Sequence, residues 1–149
     1  MFTLLTINGD ENTNDPMFAE PECVLLISTY KIFYAEHGFT PPWNGYFILE
    51  NARVIGSCGF AGPMKNNTVE IAYWTFKKFE GRGIASYACQ ALVEISRAQD
   101  PHVHITAKTE PRENASAHIL RKYGFVQTKM VQDHEIGDAW LWELPPLVK

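Results

Sequence analysis

Glu80-Gly81-Arg82-Gly83-Ile84-Ala85 is the stretch of the 149-residue chain whose residue types and spacing point most directly to chemistry. A run that reads as a strand, Thr68 to Phe76, precedes it, and a run that reads as a helix, Ile84 to Gln99, follows. A strand, a tight glycine turn and a helix start leave several backbone N–H groups side by side without intrahelical partners. The helix dipole adds partial positive charge at the same place. Such an arrangement suits an anion, usually a phosphate; the alternative is a turn that only turns. A P-loop would need a Lys-Ser/Thr pair that is missing here, which argues against nucleoside-triphosphate hydrolysis. A dinucleotide fingerprint would need a third glycine where Ser86 stands. Elsewhere, Glu70 shares a strand face with Ala72 and Trp74 by period two, and a half-buried carboxylate is costly without a task or a partner. His102 and His104 share a face, but no third ligand lies nearby in sequence, so no metal is expected. His118 and His134 read as exposed.

The elements that must position these groups follow from apolar periodicity and turn residues. Thr3 to Ile7 reads as a short strand and Asn8 to Asp15 as a loop. Pro21 to His37 reads as a helix with Pro21 in its first position, apolar on more than one face, packed against a sheet and closed by Gly38 in a left-handed cap. Gly45 to Glu50 and Arg53 to Ala61 flank Asn51-Ala52 as a hairpin, and Thr68 to Phe76 extends it into an antiparallel meander. Ile84, Ala88, Ala91, Leu92 and Ile95 form one stripe of the helix after the glycine turn. Val103 to Thr109 is the next strand, reached by a right-handed parallel crossover. A short helix, Asn114 to Lys122, ends at Gly124. Gln127 to Val131 and Ala139 to Leu144 form a closing hairpin, and the tail from Pro145 is expected to fray.

Composition sets the class. Apolar residues at 46% and aromatics at 13% describe one globular domain spanning 1–149. A net charge of −4 with no basic run speaks against nucleic acid as a partner and leaves room for a cationic substrate. Cys23, Cys58 and Cys89 are odd in number and far apart, without a Cys-x-x-Cys, so reduced thiols are expected, with Cys58 and Cys89 as small core residues. No signal peptide and no membrane span is read, and the expected location is cytoplasmic.

Three motifs in this order carry a resemblance. Glu80-Gly81-Arg82-Gly83-Ile84-Ala85 is similar to Gln/Arg-x-x-Gly-x-Gly/Ala, with Glu in the first position, and the work of that motif is done by backbone amides. Asn114-Ala115-Ser116, Ile119-Leu120 and Tyr123-Gly124-Phe125 resemble an Asn-x-x-Ser/Ala…Gly-Phe helix. Val69 to Trp74 and Ile136 to Leu144 look like the corresponding strands of ribosomal-protein-alanine N-acetyltransferases. From roughly Gly45 to Leu144 the chain resembles the GNAT superfamily of acyl-CoA N-acyltransferases. The N-terminal part matches poorly and looks shortened, where that family builds part of its acceptor site.

The resemblance implies an α+β fold with a mixed, mostly antiparallel sheet of six to seven strands and helices on both faces. It implies direct transfer of acetyl from acetyl-CoA to a primary amine, a small molecule or a peptide N-terminus, in a ternary complex, by a monomer or homodimer. Alternatives are a non-catalytic acyl-CoA-binding module and a transferase of longer acyl groups. The cofactor would be held by the amides of Gly81, Arg82, Gly83, Ile84, Ala85 and Ser86, with a charged contact from Arg82. It would also meet the open strand edge at Trp74, Thr75 and Phe76, and Asn114 and Ser116; Asn114 suits a helix cap equally well, and the two roles are compatible. Glu70 is the first candidate base and His104 the second. The usual acid, a Tyr in the last helix, falls on Leu120. Tyr73 and Tyr87 are the substitutes, and Tyr123 is expected to pack under the sheet. A CoA thiol is acidic enough to leave as thiolate without help.

Overall fold

The computed structural model describes residues 1–149. Seven strands form one sheet: β1 (Thr3–Thr6), β2 (Gly45–Glu50), β3 (Arg53–Phe60), β4 (Thr68–Thr75), β5 (His104–Thr109), β6 (Val126–Asp133) and β7 (Gly137–Leu144). Their order is β1-β2-β3-β4-β5-β7-β6, antiparallel throughout except for β4 and β5. Three helices complete the chain: α1 (Glu22–His37), α2 (Ile84–Gln99) and α3 (Ala115–Lys122). The expected mixed, mostly antiparallel sheet is observed, at the upper end of the six-to-seven range. No helix is long and apolar enough to cross a membrane.

The meander turns tightly because Asn51 and Ala52 both take positive φ, 53° and 60°, the requirement of a two-residue hairpin whose twist matches its strands. Buried residues form one core, in which Phe47, Ile71, Leu92, Ile105 and Trp142 are nearly inaccessible. Alternation along the strands separates two faces. On one, Cys58, Ile71 and Tyr73 meet α2 and α3. The other carries Gly45, Ser57 and Gly59, with Ala72 and Trp74 exposed at its margin, because paired residues of an antiparallel ladder share a face; Gly45 and Gly59 lie under Tyr30 of α1.

Glycine decides how α1 sits. An added Cβ on Gly45 would stand 2.3 Å from the Tyr30 ring, so Tyr30 lies flat on the sheet where two side chains are missing. Cys23, Leu26 and Ile27 are buried beneath α1, while Val24, Leu25 and Ile32 face solvent. The helix is therefore packed on one face only, although it is apolar on several. Pro21 is the N-cap of α1 and not its first residue, and Gly38 closes it with φ 84° and extended ψ instead of the left-handed helical conformation. The tail is not frayed: Val148 donates its amide to Pro101 and its carbonyl lies 2.9 Å from His102 Nδ1. His102 itself lies in the turn before β5, outside the strand.

Candidate active site

Strand β4 is held by β5 only from Thr68 to Glu70, paired with His104 to Thr106. Beyond that point β4 follows β3 as far as Thr75, and β5 follows β7 as far as Thr109. The two parallel strands splay, and their backbone edges face a gap. A cavity of about 90 Å³ lies there, with Ala72, Ala107, Ser116 and Leu120 among its walls.

Of the three edge residues expected from sequence, Thr75 turns its amide into the gap, while Trp74 and Phe76 do not. Phe76 donates its amide to Ile55 on β3, and Phe76 is fully buried. Backbone groups alternate between the two sides of a strand, so the amide of Trp74 also points to β3. Those of Ile71, Tyr73 and Thr75 point into the gap; the Val69 carbonyl, on the same side, accepts from the Thr106 hydroxyl on β5.

A cleft of about 810 Å³ runs from this splay to the glycine turn. Trp74, Thr75, Gly81, Gly83, Ile84, Ala85, Ser86 and Ser116 line it. Gly81 and Gly83 both have φ +81°, and a Cβ on either would meet nothing within 4 Å. The turn thus needs glycine for its conformation and leaves open space above the backbone. Gly83 is the N-cap of α2 and supplies no side-chain cap. The first intrahelical bond is donated by Tyr87 to Gly83, so Ile84, Ala85 and Ser86 keep unpaired amides. No acidic residue stands in the first turn of α2, which leaves the dipole's positive end unneutralised. These features fit a diphosphate group.

Three candidate residues are held elsewhere. Arg82 pairs with Glu50 on β2 at 2.5 Å and is not in the cleft wall. Asn114 caps α3, its Oδ1 accepting from the Ala117 amide at 2.9 Å, which leaves the side-chain NH2 as its free donor. Tyr123 does not pack under the sheet. Its hydroxyl lies 2.9 Å from Ser86 Oγ and ties α3 to the first turn of α2.

Among the cleft residues not expected from sequence, Ala115, His118, Ile119 and Lys122 belong to α3. Their spacing of i, i+3, i+4 and i+7 marks one helix face, a signal present in the sequence, although of the four only His118 is expected there to be exposed. His118 and Lys122 bring the basic groups of that wall; Glu80 and Glu110 also line the cleft.

The candidate bases sit on the α1 side of the sheet, outside the cleft wall. Glu70 Oε1 is 3.4 Å from Lys108 Nζ, which is also 3.5 Å from Asp133. Partial burial alone would lower the Lys108 pKa; the carboxylates of Glu70 and Asp133 outweigh it and hold it above the ordinary lysine value. Lys108 is thus a fixed cation. His104 Nε2 lies 2.8 Å from Glu143 Oε1. The Thr128 hydroxyl and then His104 hold the Glu143 carboxyl below the usual range. The hydroxyl of Tyr73 is shielded from solvent and faces Ser116 of α3. Burial pushes its pKa up, as it does for Tyr87, so both stay neutral. Burial also pushes the Cys58 and Cys89 thiols up to about 12, which leaves them unreactive.

Residues 14–126 match the model of the acetyltransferase (GNAT) domain. A curated relative, the uncharacterized N-acetyltransferase p20 of Bacillus licheniformis, is 32% identical over 89 residues, 59% of this chain. The chain spans about half the length of that relative, 50%. Among solved structures, RimL, a ribosomal-protein alpha-N-acetyltransferase in complex with coenzyme A, superposes with a TM-score of 0.64 at 19% identity, over 86% of this chain and 73% of its own. The yncA structure from Salmonella typhimurium with its cofactor acetyl-CoA gives a TM-score of 0.67 at 16% identity, over 100% and 95%. At these identities the two structures speak for the fold alone. The domain match, by contrast, covers most of the sequence, including the glycine turn and α3, and by it the chain belongs to the GNAT acetyltransferase family.

Proposed function

We propose that the chain is an acetyl-CoA-dependent N-acetyltransferase that passes the acetyl group directly to a primary amine. The observation that carries this reading is the row of unpaired amides at Ile84, Ala85 and Ser86, opening into a cleft that leads to the splay of β4 and β5. Acetyl-CoA supplies the activated acetyl thioester when bound. The amides of α2 would bind its diphosphate. The β4 edge at Ile71, Tyr73 and Thr75 would pair with the amides of an extended arm and orient the reacting carbonyl, with one N–H available to its oxygen. Asn114 would offer its free NH2 to the same arm, and Ser116 its hydroxyl.

Glu70 would take the proton of the acceptor ammonium, directly or through water. It lies on the sheet face opposite the helices α2 and α3, so amine and thioester would approach β4 from opposite sides. Lys108 holds the carboxylate in place and, being a fixed cation, does not compete as a base. His104 is the weaker candidate because its Nε2 is occupied by Glu143. With Leu120 in the position of the usual acid, the thiolate would leave unprotonated.

Glu70→Gln is expected to lower kcat about 100-fold or more, the lower end of general-base contributions, and to leave CoA affinity by calorimetry within twofold. Unchanged turnover would remove Glu70 from the mechanism. CoA binding without transfer to any amine of a broad panel would leave a binding module and not an enzyme.

A further inference from the structure

A second cavity, of about 190 Å³, lies between α1 and strands β3 and β4, on the sheet face away from the glycine turn. Tyr73 and Trp74 border both this cavity and the large cleft, so the two meet at the end of β4 beyond the splay. Small residues make the floor: Ser57 and Ala72 lie diagonally on neighbouring strands, two register positions apart on one face. Leu26, Tyr30 and Trp74 make the walls. The wall at Tyr30 depends on Gly45 and Gly59, since a Cβ at either would come within 3.0 Å of its ring or hydroxyl.

Resting on the acetyltransferase reading above, we propose that this cavity is the acceptor subsite and that it receives an uncharged aliphatic or aromatic group carried next to the reacting amine. No ionised side chain lines it. Cys58, beside Ser57, is kept as a thiol and Tyr30 as a phenol by burial. The cavity opens to solvent beside Ala72 and Trp74, and its lining offers a second positive charge on the acceptor no carboxylate partner. One polar group remains, the hydroxyl of Ser57, whose residue is 95% buried and which makes no side-chain hydrogen bond; it can orient one polar atom of the acceptor. The volume equals that of about six waters, enough for one side chain of leucine or phenylalanine size and well below a drug-sized pocket. Glu70 lies two residues before Ala72 on the same face, about 7 Å along the strand. An acceptor whose apolar group fills the cavity therefore places its amine toward that carboxylate. The expectation from net charge, a cationic acceptor, is thereby narrowed to a single cationic centre at the rim.

The test is acetyl transfer from acetyl-CoA to leucinamide, 2-phenylethylamine, a tetrapeptide beginning with leucine, glycinamide and spermidine. The apolar amines are expected to exceed glycinamide and spermidine by about tenfold or more in kcat/KM, the usual worth of filling a hydrophobic pocket. The peptide arm separates a chain terminus from a free amine as the source. Ser57→Leu and Ser57→Val, which fill the cavity from β3 to different extents, are each expected to raise KM for 2-phenylethylamine, by about tenfold for Leu, with CoA affinity by calorimetry within twofold as evidence of an intact fold. Preference for spermidine or glycinamide overturns the proposal, as does an unchanged KM in both variants. Failure of the wild type to bind CoA overturns the acetyltransferase reading itself.

Discussion

At the scale of single residues, the polar groups that matter are mostly committed in pairs. Trp142 is fully buried, and its indole N–H donates to Thr109 Oγ1 at 2.9 Å. A Thr109→Val substitution keeps the shape but leaves that donor unpaired. Urea denaturation is expected to show a loss of about 1–3 kcal/mol, the cost of one orphaned buried donor, and Thr109→Ser is expected to restore most of it. The same pairing logic explains Arg82. Its type suits a phosphate, but Glu50 on β2 lies 2.5 Å away and holds the guanidinium. Residue type alone offers both outcomes, and only the neighbour across the fold separates them.

At the scale of elements, the strand–turn–helix unit β4–α2 and the helix α3 build the cleft between them. Gly81 and Gly83 act through backbone conformation and through the space above them. Changing both to Val is expected to abolish CoA binding by calorimetry, since β-branched residues resist positive φ and their side chains would occupy the open cradle. A variant that keeps its near-ultraviolet circular dichroism and still binds CoA would reject the cradle. This element was legible in the sequence because the glycine spacing and the following apolar stripe are local signals. On the free edge of β4 only Thr75 is both expected and observed, because which amides a strand turns outward depends on its register with β3. The face of α3 carrying His118 and Lys122 was present as a helical spacing, but its direction depends on where α3 docks.

For the whole molecule, acidic groups tie the C-terminal half of the sheet together, and their pKa shifts give stability a pH dependence. The Thr128 hydroxyl and then His104 lower Glu143, and Asp133 is lowered first by the Glu135 amide, then by the Ile136 amide and Lys108. A carboxyl with a depressed folded pKa adds stability above its unfolded value, roughly 4, and loses it as pH falls through the folded value. Lys108, raised, adds stability below its ordinary value of about 10.4 and loses it as pH rises through the folded one. Urea midpoints are therefore expected to fall between pH 5 and pH 3 and to change little from pH 6 to 9 on account of these groups. Asp133→Asn is expected to flatten the acid limb; an unchanged limb would show that this carboxylate is not responsible.

The sequence by itself determined the order of elements, the glycine turn, the family and the residues of the cleft that act through local backbone geometry. These follow from interactions within a few residues, and periodicity and turn chemistry record them. Tertiary structure alone decided which amides of β4 are free, which charged groups are held by partners, how the tail is tied to the turn before β5, and that a small apolar cavity lies between α1 and strands β3 and β4. Each of these depends on a neighbour distant in sequence: Ile55 for Phe76, Glu50 for Arg82, Pro101 for Val148, and Gly45 and Gly59 for the ring of Tyr30.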